Sequence, residues 1–370
     1  MHRLLYLSHC GSSVGGGEKQ LHYLVTHLDR DRYQPIVVCP DDGIFADQLR
    51  DSDIPTHILP LPGWRKAKSM LFRNIAAARL VKFAEQHGIH LVHTSDSWLN
   101  PYVWRIKRRL GIPAISHIRN IISPKRVGKY KFSQMDRIIA ISEQTKAPLV
   151  QANIPGEKID VILNCVDLSR FKPGLAHKKK NQKSTIKLRR FVVGMVSRIE
   201  PFKRQKEFIL AALHVTKHCK DVSFLIIGEA HNIPEHLAYE RELRQMVSKL
   251  KLTDCVFFTG HRTDMPRVMR GLDLLVTASA GSVIAEAMAA GIPVVGTPIG
   301  SASEMIDDSV TGWLVPLEPI EMMASKILLF AQNSDLCKQM GGEGRKRAEK
   351  LFSVDEHVRQ VQLIYDGLLF

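Results

Sequence analysis

Short hydrophobic runs alternate along the chain with longer stretches in which hydrophobic residues recur at helical spacing. The first half contains five of these runs, at residues 4–8, 35–39, 90–93, 114–117 and 137–142. The second half contains five more, at residues 191–197, 223–228, 255–260, 273–277 and 293–297. This order of short strands and longer helices predicts βαβ units and therefore parallel sheets.

A basic segment interrupts the rhythm between the two halves. Residues 171–190 carry eight Lys or Arg, no acid, a Pro and a Gly, as expected of a solvated connection. A chain of 370 residues also exceeds what one core usually organises. We therefore predict two α/β domains, residues 1–172 and 191–352, joined by a linker at 173–190. The C-terminal helix, residues 353–370, is a candidate addition to the first domain.

The composition suggests an anionic partner and a cytoplasmic location. Fifty-two Lys and Arg against 37 Asp and Glu give a formal charge of +15, which suits nucleotides, phospholipid surfaces or nucleic acids. The six cysteines lie far apart, without metal-ligand spacing, and predict reduced thiols. The N-terminus lacks a signal-peptide cleavage site, and prolines break the most hydrophobic window, 273–300. We expect no membrane-spanning helix, and any membrane contact to be peripheral.

Two βα turns offer groups that could hold an anion. The first strand runs into a glycine-rich turn with Gly16 and Gly17, where N–H groups at a helix start could approach a phosphate. A turn made only for tight packing is the alternative. Arg198 and Lys203 follow a strand in the second half. A guanidinium fork and a mobile ammonium suit a leaving diphosphate, and a solvated surface pair is the alternative.

Two acidic side chains lie near predicted helix starts in the second half. Glu286 belongs to an otherwise hydrophobic segment in which Ser282, after Gly281, is a plausible N-cap and Gly291 a C-terminal stop. A carboxylate in such a segment needs hydrogen-bond donors, and ribose hydroxyls or an internal salt bridge would supply them. Glu304 begins the next helix, where an acid is more often a simple helix-start charge.

Several motifs, in their order along the chain, resemble those of glycosyltransferase family 4, whose members adopt the GT-B architecture. The matching segments are GGGE at 15–18, DRIIAIS at 136–142, NCVD at 164–167 with Phe171 and Pro173, SRIEPFK at 197–203, FFTGHRTD at 257–264, EAMAAGIPVVGT at 286–297 and GSASE at 300–304. The resemblance covers nearly the whole chain. It implies two Rossmann-like domains that face each other across a cleft.

The resemblance also implies a retaining transfer of a sugar from a nucleoside diphosphate donor, without a bound metal or other cofactor. Arg198 and Lys203 would neutralise the diphosphate, and Glu286 would bind the ribose. Further donor contacts would come from Gly16, Gly17, Gly260, His261, Arg262, Gly281, Ser282 and Glu304. His117 would lie beside the donor sugar, with a core histidine at a strand end as the alternative. Family habit makes uridine the first choice of base and guanosine the second.

Two positions depart from the family pattern. The family commonly has a second acid eight residues before the ribose-binding one, beside the donor sugar, and here that position is Ala278. Its absence leaves the identity of the sugar open. In NCVD, Cys165 stands where glycine is usual, so we expect it to occupy a turn that glycine usually serves. The acidic pairs at 41–42 and 307–308 lack the context of a metal-binding loop, and we interpret them as turns.

Most of the positive charge is concentrated in one region. Residues 64–137 contain sixteen Lys and Arg and three acids, interleaved with Trp64, Met70, Leu71, Phe72, Trp98 and Trp104. This composition predicts a peripheral contact of the basic residues 65–137 with anionic lipid at the inner face of the membrane, with a solvated basic face as the alternative. A glycan or lipid-linked acceptor would follow. The chain shows none of the usual nucleic-acid-binding motifs, so we expect no nucleic-acid partner.

The expected role is synthesis of cell-surface polysaccharide, lipopolysaccharide or glycolipid. A nucleotide-sugar epimerase on the same architecture is one alternative. A non-catalytic nucleotide-sugar-binding subunit is another, because of Ala278. A nicotinamide dehydrogenase is a weaker hypothesis, since the glycine turn lacks the G-x-G-x-x-G fingerprint.

Overall fold

The computed structural model of the chain describes residues 1–63, 70–174, 188–278 and 281–370. The chain divides into two compact units. Unit 1 comprises Met1–Cys165 and Val354–Phe370, and unit 2 comprises Val166–Ser353. The boundary between the units lies after Cys165, seven residues before the predicted end of the first domain at residue 172. Residues 175–187 of the predicted linker lie outside the described residues. The domain limits drawn from the sequence therefore stay predictions.

Unit 1 is built on a seven-stranded parallel sheet with the order β3-β2-β1-β4-β5-β6-β7. Its strands are β1 (His2–Leu7), β2 (Tyr33–Cys39), β3 (Thr56–Ile58), β4 (Leu91–Thr94), β5 (Ala114–Ile118), β6 (Arg137–Ala140) and β7 (Ile159–Val161). Its helices are α1 (Gly16–Thr26), α2 (Ile44–Asp51), α3 (Met70–Gln86), α4 (Asn100–Leu110), α5 (Pro124–Val127), α6 (Glu143–Gln151) and α14 (Val354–Leu369). The strand order reverses between β1 and β4, and open α/β sheets bind ligands at the carboxyl ends of strands beside such a reversal.

Hydrophobic side chains cover both faces of this sheet, as parallel sheets require. Leu5 and Leu7 of β1 belong to one core cluster, whereas Leu4 and Tyr6 of the same strand belong to another. This alternation follows from the two-residue period of a strand. Helix α14 buries residues at helical spacing in the second cluster, among them Tyr365. The C-terminal helix is therefore part of the layer that covers one face of the unit 1 sheet.

Unit 2 repeats this design with a six-stranded parallel sheet in the order β10-β9-β8-β11-β12-β13. Its strands are β8 (Phe191–Val196), β9 (Val222–Ile227), β10 (Val256–Gly260), β11 (Leu274–Thr277), β12 (Val294–Gly296) and β13 (Gly312–Leu314). Its helices are α7 (Gln205–His218), α8 (Pro234–Lys249), α9 (Met265–Arg270), α10 (Val283–Ala289), α11 (Ala302–Met305), α12 (Ile320–Gln332) and α13 (Ser334–Leu351). The strand order reverses between β8 and β11.

All ten hydrophobic runs form strands, as the sequence predicts. The structure adds β3, β7 and β13, which are three residues long and lie at sheet edges. Their side chains are mostly only partly buried. They therefore lack the continuous hydrophobic run by which central parallel strands are recognised.

The basic region at 65–137 is only partly within the described residues. Trp64 and the cations at 65, 66 and 68 lie outside them, and the side chains of Met70 and Leu71 are not described. Phe72 is exposed, whereas Trp104 is covered by two cations, with Arg108 Cζ 4.8 Å and Lys131 Nζ 5.0 Å from its ring centroid. Within the described ranges, no helix has the length and hydrophobicity needed to cross a membrane.

Candidate functional site

The predicted site residues of unit 2 lie at one edge of its sheet. All its strands run parallel, so their carboxyl ends share that edge. The predicted residues fall in four segments there: Arg198 and Lys203 after β8, Gly260, His261 and Arg262 at the end of β10, Gly281, Ser282 and Glu286 after β11, and Glu304 after β12. Strands β8, β11 and β12 are direct neighbours. The fold therefore gathers the predicted cations and carboxylates at adjacent strand ends.

A buried acid anchors the first predicted cation. Arg198 Nη2 lies 3.1 Å from Glu200 Oε1, and Arg198 Nη1 donates to His231 Nε2 at 3.3 Å. The side chain of Glu200 is 3% exposed and that of Arg198 is 56% exposed. The guanidinium is thus oriented by partners on the protein side while much of it remains accessible to solvent. A planar donor held in this way suits bidentate binding of an oxyanion.

Lys203 is half-buried in the same short loop. Burial lowers the pKa of Lys203; Glu200 opposes this change, and Arg198 adds to it. The two cations are therefore close enough to repel each other. An anion bound beside them would relieve the repulsion and favour the charged form of Lys203.

The loop that carries both cations is fixed in its shape. The fully buried Gln205 donates from Nε2 to Ser197 Oγ at 3.0 Å and to the Arg198 carbonyl at 2.8 Å. Gly228, after β9, has φ of 138°, and a Cβ there would lie 2.0 Å from the Ser197 carbonyl oxygen. The loop therefore passes so close to Gly228 that no side chain fits. Gln205 was missed by the sequence analysis, since its type and position signal only a helix start.

Ser282 orients the predicted ribose-binding acid. Its Oγ donates to Glu286 Oε1 at 3.4 Å, and Glu286 is 8% exposed. Ser282 occupies the N-cap position of α10, as predicted, but its side chain caps no backbone N–H group. Gly291 follows the helix with φ of 73°, which agrees with its predicted role as a stop. The carboxylate is thus held within the first turn of a short helix at the sheet edge.

Two arginines of α13 support the short helices of this edge. Arg345 Nη1 donates to the Ala289 carbonyl of α10 at 2.6 Å and to the Phe171 carbonyl at 2.8 Å. Arg347 donates to the carbonyls of Glu304 at 2.9 Å and Met305 at 2.8 Å, both in α11. Carbonyls at a helix end lack partners within the helix, so these side chains satisfy them. No sequence signal identified either arginine.

Two hydroxyls after β12 have unused hydrogen-bonding capacity. Thr297 Oγ1 and Ser301 Oγ are buried, and neither has a hydrogen-bond partner within the described part of the chain. Buried hydroxyls are normally satisfied. Their position at the strand end that leads to Glu304 places two potential donors beside the predicted acids.

In the segment after β10, unlike the others, the predicted cation Arg262 is already paired with an acid of the same segment. Arg262 donates from Nε and Nη2 to both carboxylate oxygens of Asp264, at 2.8 and 2.7 Å. This pair raises the pKa of Arg262 and lowers that of Asp264. His261 is exposed, and Gly260 has φ of 69°. The guanidinium is therefore paired with the N-cap residue of α9, whereas His261 is exposed and has no acid paired with it among the described residues.

His117 of unit 1 is a buried, neutral histidine. Arg119 Nη2 donates to its Nδ1 at 3.4 Å, and Nε2 has no hydrogen-bond partner among the described residues. Burial, with the nearby Arg119, holds the pKa of His117 well below its usual value. Because arginine only donates, Nδ1 must be the acceptor and Nε2 must carry the proton. His117 thus offers one unused N–H donor at the end of β5.

Arg119 is a partly buried cation that the sequence analysis did not single out. It donates from Nη1 to Asn164 Oδ1 at 3.0 Å, and burial lowers its pKa to about 10. A Cβ at Gly17 would lie 3.5 Å from Arg119 Cδ, so the glycine turn and the guanidinium are in contact range. Helix α1 begins at Gly16. The structure therefore brings the predicted helix start, Arg119 and His117 together at the carboxyl edge of the unit 1 sheet.

The two positions that depart from the family pattern, Cys165 and Ala278, are both buried. The glycine-like turn expected at Cys165 is wrong: its φ is not positive, and Gln20 holds its backbone, accepting from its N–H at 2.9 Å and donating to its carbonyl at 2.8 Å. Ala278 is 2% exposed and packs in the unit 2 core. A carboxylate is therefore missing from a position where its charge would have to be compensated.

Of the two acidic pairs interpreted as turns, the pair at 307–308 begins one, because the Asp307 carbonyl accepts from the Val310 and Thr311 N–H groups at 3.1 and 2.9 Å. Asp41 accepts from the Gly11 N–H at 2.5 Å and from Ser12 Oγ at 2.8 Å, and Asp308 accepts from the Leu314 N–H at 2.8 Å. In the described ranges, no three metal-ligating side chains form a cluster.

Comparisons with known proteins agree with this arrangement. The family model described as Glycosyltransferase Family 4 matches residues 14–170, and the model described as Glycosyl transferases group 1 matches residues 177–347. The chain is 28% identical, over 65% of its length and 68% of the relative's, to the lipopolysaccharide core biosynthesis mannosyltransferase LpsB of Rhizobium meliloti. It is 26% identical to the D-inositol 3-phosphate glycosyltransferase of Salinispora tropica, over 74% of this chain and 63% of that one.

A solved structure matches the whole chain. The crystal structure of Anabaena Alr3699/HepE in complex with UDP and glucose superposes with a TM-score of 0.85, at 24% identity and with 100% of both chains covered. Two parallel Rossmann-like sheets and this match show the GT-B fold, which is named for the glycosyltransferases that adopt it. With the two family models in sequence along it, the chain belongs to the family 4 type of these enzymes.

Proposed function

We propose that the enzyme transfers a hexose, with retention of configuration, from a nucleoside diphosphate sugar to a hydroxyl group of a glycan or lipid-linked acceptor. The observation that carries this proposal is the pair of Arg198 and Lys203 at the end of β8, oriented around Glu200, with Glu286 after the neighbouring β11. Two cations suit a diphosphate, and a buried carboxylate suits ribose hydroxyls. The UDP bound to the structural neighbour supports uridine as the first base to test.

In the proposed reaction, the bond between the anomeric carbon and the diphosphate oxygen breaks, and the electron pair leaves with the diphosphate. The acceptor hydroxyl forms the new bond on the same face of the sugar and passes its proton to the departing phosphate. Arg198 and Lys203 would stabilise the charge that grows on the leaving group. The Nε2–H group of His117 would donate a hydrogen bond to a sugar hydroxyl.

Metal independence is part of the same proposal, because the two cations would neutralise the charge that a divalent metal neutralises in other enzymes. Unchanged turnover after EDTA treatment is the expected result, and dependence on added Mg²⁺ would contradict it. The names of the relatives support a role in lipopolysaccharide or related glycan synthesis. We place this activity in the cytoplasm at the inner membrane face, with the exposed cations of α3 and α4, such as Arg79 and Arg109, and the exposed Phe72 as the lipid contact.

The direct test is product analysis with candidate donors. UDP-hexoses and GDP-mannose are incubated with and without a cell-envelope glycan fraction, and the nucleotide products and the anomeric configuration are determined. Release of nucleoside diphosphate that requires acceptor, with the donor configuration retained, is expected. An altered nucleotide sugar without transfer would show epimerisation, and an inverted product would contradict retention.

Ala278 favours one second candidate, a subunit that binds the donor without transferring the sugar. The position that commonly carries an acid beside the donor sugar is here a buried alanine. Binding of a nucleotide sugar without hydrolysis or transfer to any acceptor would support this candidate over the enzyme.

A further inference from the structure

A separate cavity of about 670 Å³ lies in unit 1. Its lining comes from the segment after β4 and from the segment around α5, and includes Trp98, Pro101, Arg126, Lys129, Tyr130 and Lys131. The volume is within the range of small-molecule sites. None of these residues has a role in the donor site proposed above.

All charged side chains among the described residues that line this cavity are cations. They are Arg126, Lys129 and Lys131. Other cations of this basic region are neutralised: Lys107 Nζ lies 2.6 Å from Asp136, and Arg137 is paired with Asp160. Among the ion pairs formed by described residues, none includes one of the three lining cations. Lys131 Nζ also lies over the Trp104 ring, 5.0 Å from its centroid. The basic region thus separates into cations paired with acids and a cluster that no described acid neutralises.

Aromatic rings form the other wall. The rings of Trp98 and Tyr130 meet edge to face, with their centroids 5.5 Å apart. Trp98 is 40% exposed, so part of its ring is accessible to a ligand. A flat ring beside cations suits a ligand with a hydrophobic face and a polar or anionic substituent, as in a sugar phosphate.

The cavity is connected to the predicted sugar-contacting residues of unit 1. The backbone N–H of Trp98 donates to Asp96 Oδ1 at 2.9 Å. Asp96 is a buried acid that interacts electrostatically with Arg119. Arg119 in turn donates to His117. The loop after β4 therefore joins the cavity wall to the carboxyl edge of the sheet. A ligand in the cavity would lie on the side of unit 1 from which a hydroxyl could be presented at that edge.

We propose that this cavity binds the acceptor, and that the acceptor is a sugar or cyclitol ring bearing a phosphate or carboxylate group. The anion would be held by Arg126, Lys129 and Lys131, and the ring would pack on Trp98 and Tyr130. This inference rests on the proposed transferase function and specifies its acceptor. The name of one curated relative contains D-inositol 3-phosphate, which is a cyclitol ring bearing a phosphate.

The test uses mannose 6-phosphate and mannose as probes, titrated calorimetrically into the full chain with saturating UDP. The variant is Arg126→Gln/Lys129→Gln. Its matched control is Arg79→Gln/Arg109→Gln, which removes the same charge from exposed positions of α3 and α4. Binding of all three proteins to phosphatidylcholine vesicles with and without phosphatidylglycerol is measured by sedimentation. Circular dichroism confirms that both variants fold.

We expect mannose 6-phosphate to bind at least about tenfold more tightly than mannose, because charge-assisted hydrogen bonds contribute differences of that order. The cavity variant should lose this preference and the control should keep it, while only the control should lose vesicle binding. Equal affinity for the two probes, or equal losses in both variants, would overturn the inference. A cavity variant that loses vesicle binding but keeps sugar-phosphate binding would assign the cations to lipid instead.

Failure of the proposed function would look different. If the wild-type chain transfers no sugar but still shows the preference for mannose 6-phosphate and its loss in the cavity variant, the transferase proposal fails while the anion-binding cavity stands.

Discussion

The carboxyl edges of the two sheets present opposite kinds of chemistry. In unit 2, Arg198 is largely exposed, and Lys203 stands half-buried beside it. In unit 1, His117 is buried and Arg119 is partly buried, and burial lowers both of their pKa values. One edge therefore offers positive charge to a ligand arriving from water. The other offers a neutral donor, His117 Nε2, beside a partly buried cation.

This difference suggests that the two edges bind different parts of the donor, the diphosphate in unit 2 and the sugar in unit 1. A diphosphate changes its charge during the reaction and requires accessible cations, whose contribution is greatest where charge develops. A sugar hydroxyl does not change its charge and requires an oriented donor that stays in one protonation state.

Removal of the unit 2 cations should have the largest effect on turnover. We expect Arg198→Ala and Lys203→Ala each to lower kcat by about 100-fold or more, because one preorganised charge contributes a few kcal/mol to transition-state stabilisation. The control Lys206→Ala removes an exposed cation that pairs with Glu242 on the protein surface. Steady-state kinetics with the identified donor checks the prediction. Full activity in both site variants would remove the charge-stabilising role assigned to this edge.

Loss of Glu286, the proposed ribose-binding acid, should weaken binding of the donor more than it slows the chemical step. Glu286→Gln keeps the size of the side chain but weakens its acceptor, so we expect donor affinity to fall by about 10-fold to 100-fold. The variant should also lose its discrimination between UDP and 2′-deoxy-UDP. Glu343→Gln, which alters a surface acid paired with Lys346, is the control. Retained discrimination in Glu286→Gln would show that the ribose contact lies elsewhere.

Arg345 should affect the donor site only through helix α10. Arg345→Met keeps the hydrophobic stem but loses the bonds to the Ala289 and Phe171 carbonyls, so we expect a several-fold rise in KM for the donor with a smaller change in kcat. Arg345→Lys should recover part of the loss. Arg359→Met, at an exposed position on α14, is the control. A change in stability without any change in KM would show that the arginine only supports the fold.

The buried histidines of unit 1 should make stability depend on pH. Burial lowers the pKa of His93 to about 3 and of His357 to about 4, below the usual value of about 6.5 in an unfolded chain. Below about pH 6.5 the unfolded chain binds protons that the folded chain does not, so stability falls as the pH decreases and is unaffected by these groups above it. Each contributes a slope of about 1.4 kcal/mol per pH unit.

Urea denaturation between about pH 7 and about pH 5 measures this slope. His357→Asn should reduce it by the contribution of one group, while His27→Asn, at an exposed position, should leave it unchanged. An identical slope in His357→Asn and the wild type would contradict the neutral assignment of His357.

The sequence predicted the parts of the fold that rest on continuous hydrophobic runs. All ten runs form strands, because central parallel strands are buried on both faces and carry an unmistakable pattern. The edge strands β3, β7 and β13 were missed because partial burial removes that pattern. The same logic places Arg198, Lys203 and Glu286 at adjacent strand ends, since a parallel sheet collects its carboxyl ends at one edge.

The supporting residues could not be predicted, for a physical reason. Gln205, Arg119, Arg345 and Arg347 act through hydrogen bonds to groups that are far away in sequence or have no pattern of their own. A helix end requires donors for its last carbonyls, but nothing in a single sequence tells which side chain supplies them. Cys165 illustrates the reverse error: a motif suggested a glycine-like turn, and Gln20 instead holds an ordinary backbone.

The most direct test of the account is a calorimetric comparison of UDP and uridine binding to the wild-type chain and to the Arg198→Ala/Lys203→Ala variant. If these cations hold the diphosphate, the wild type should bind UDP at least about 100-fold more tightly than uridine, and the variant should lose most of that difference while its affinity for uridine is unchanged. An equal preference for UDP in both proteins would contradict the claim that this edge of unit 2 receives the diphosphate.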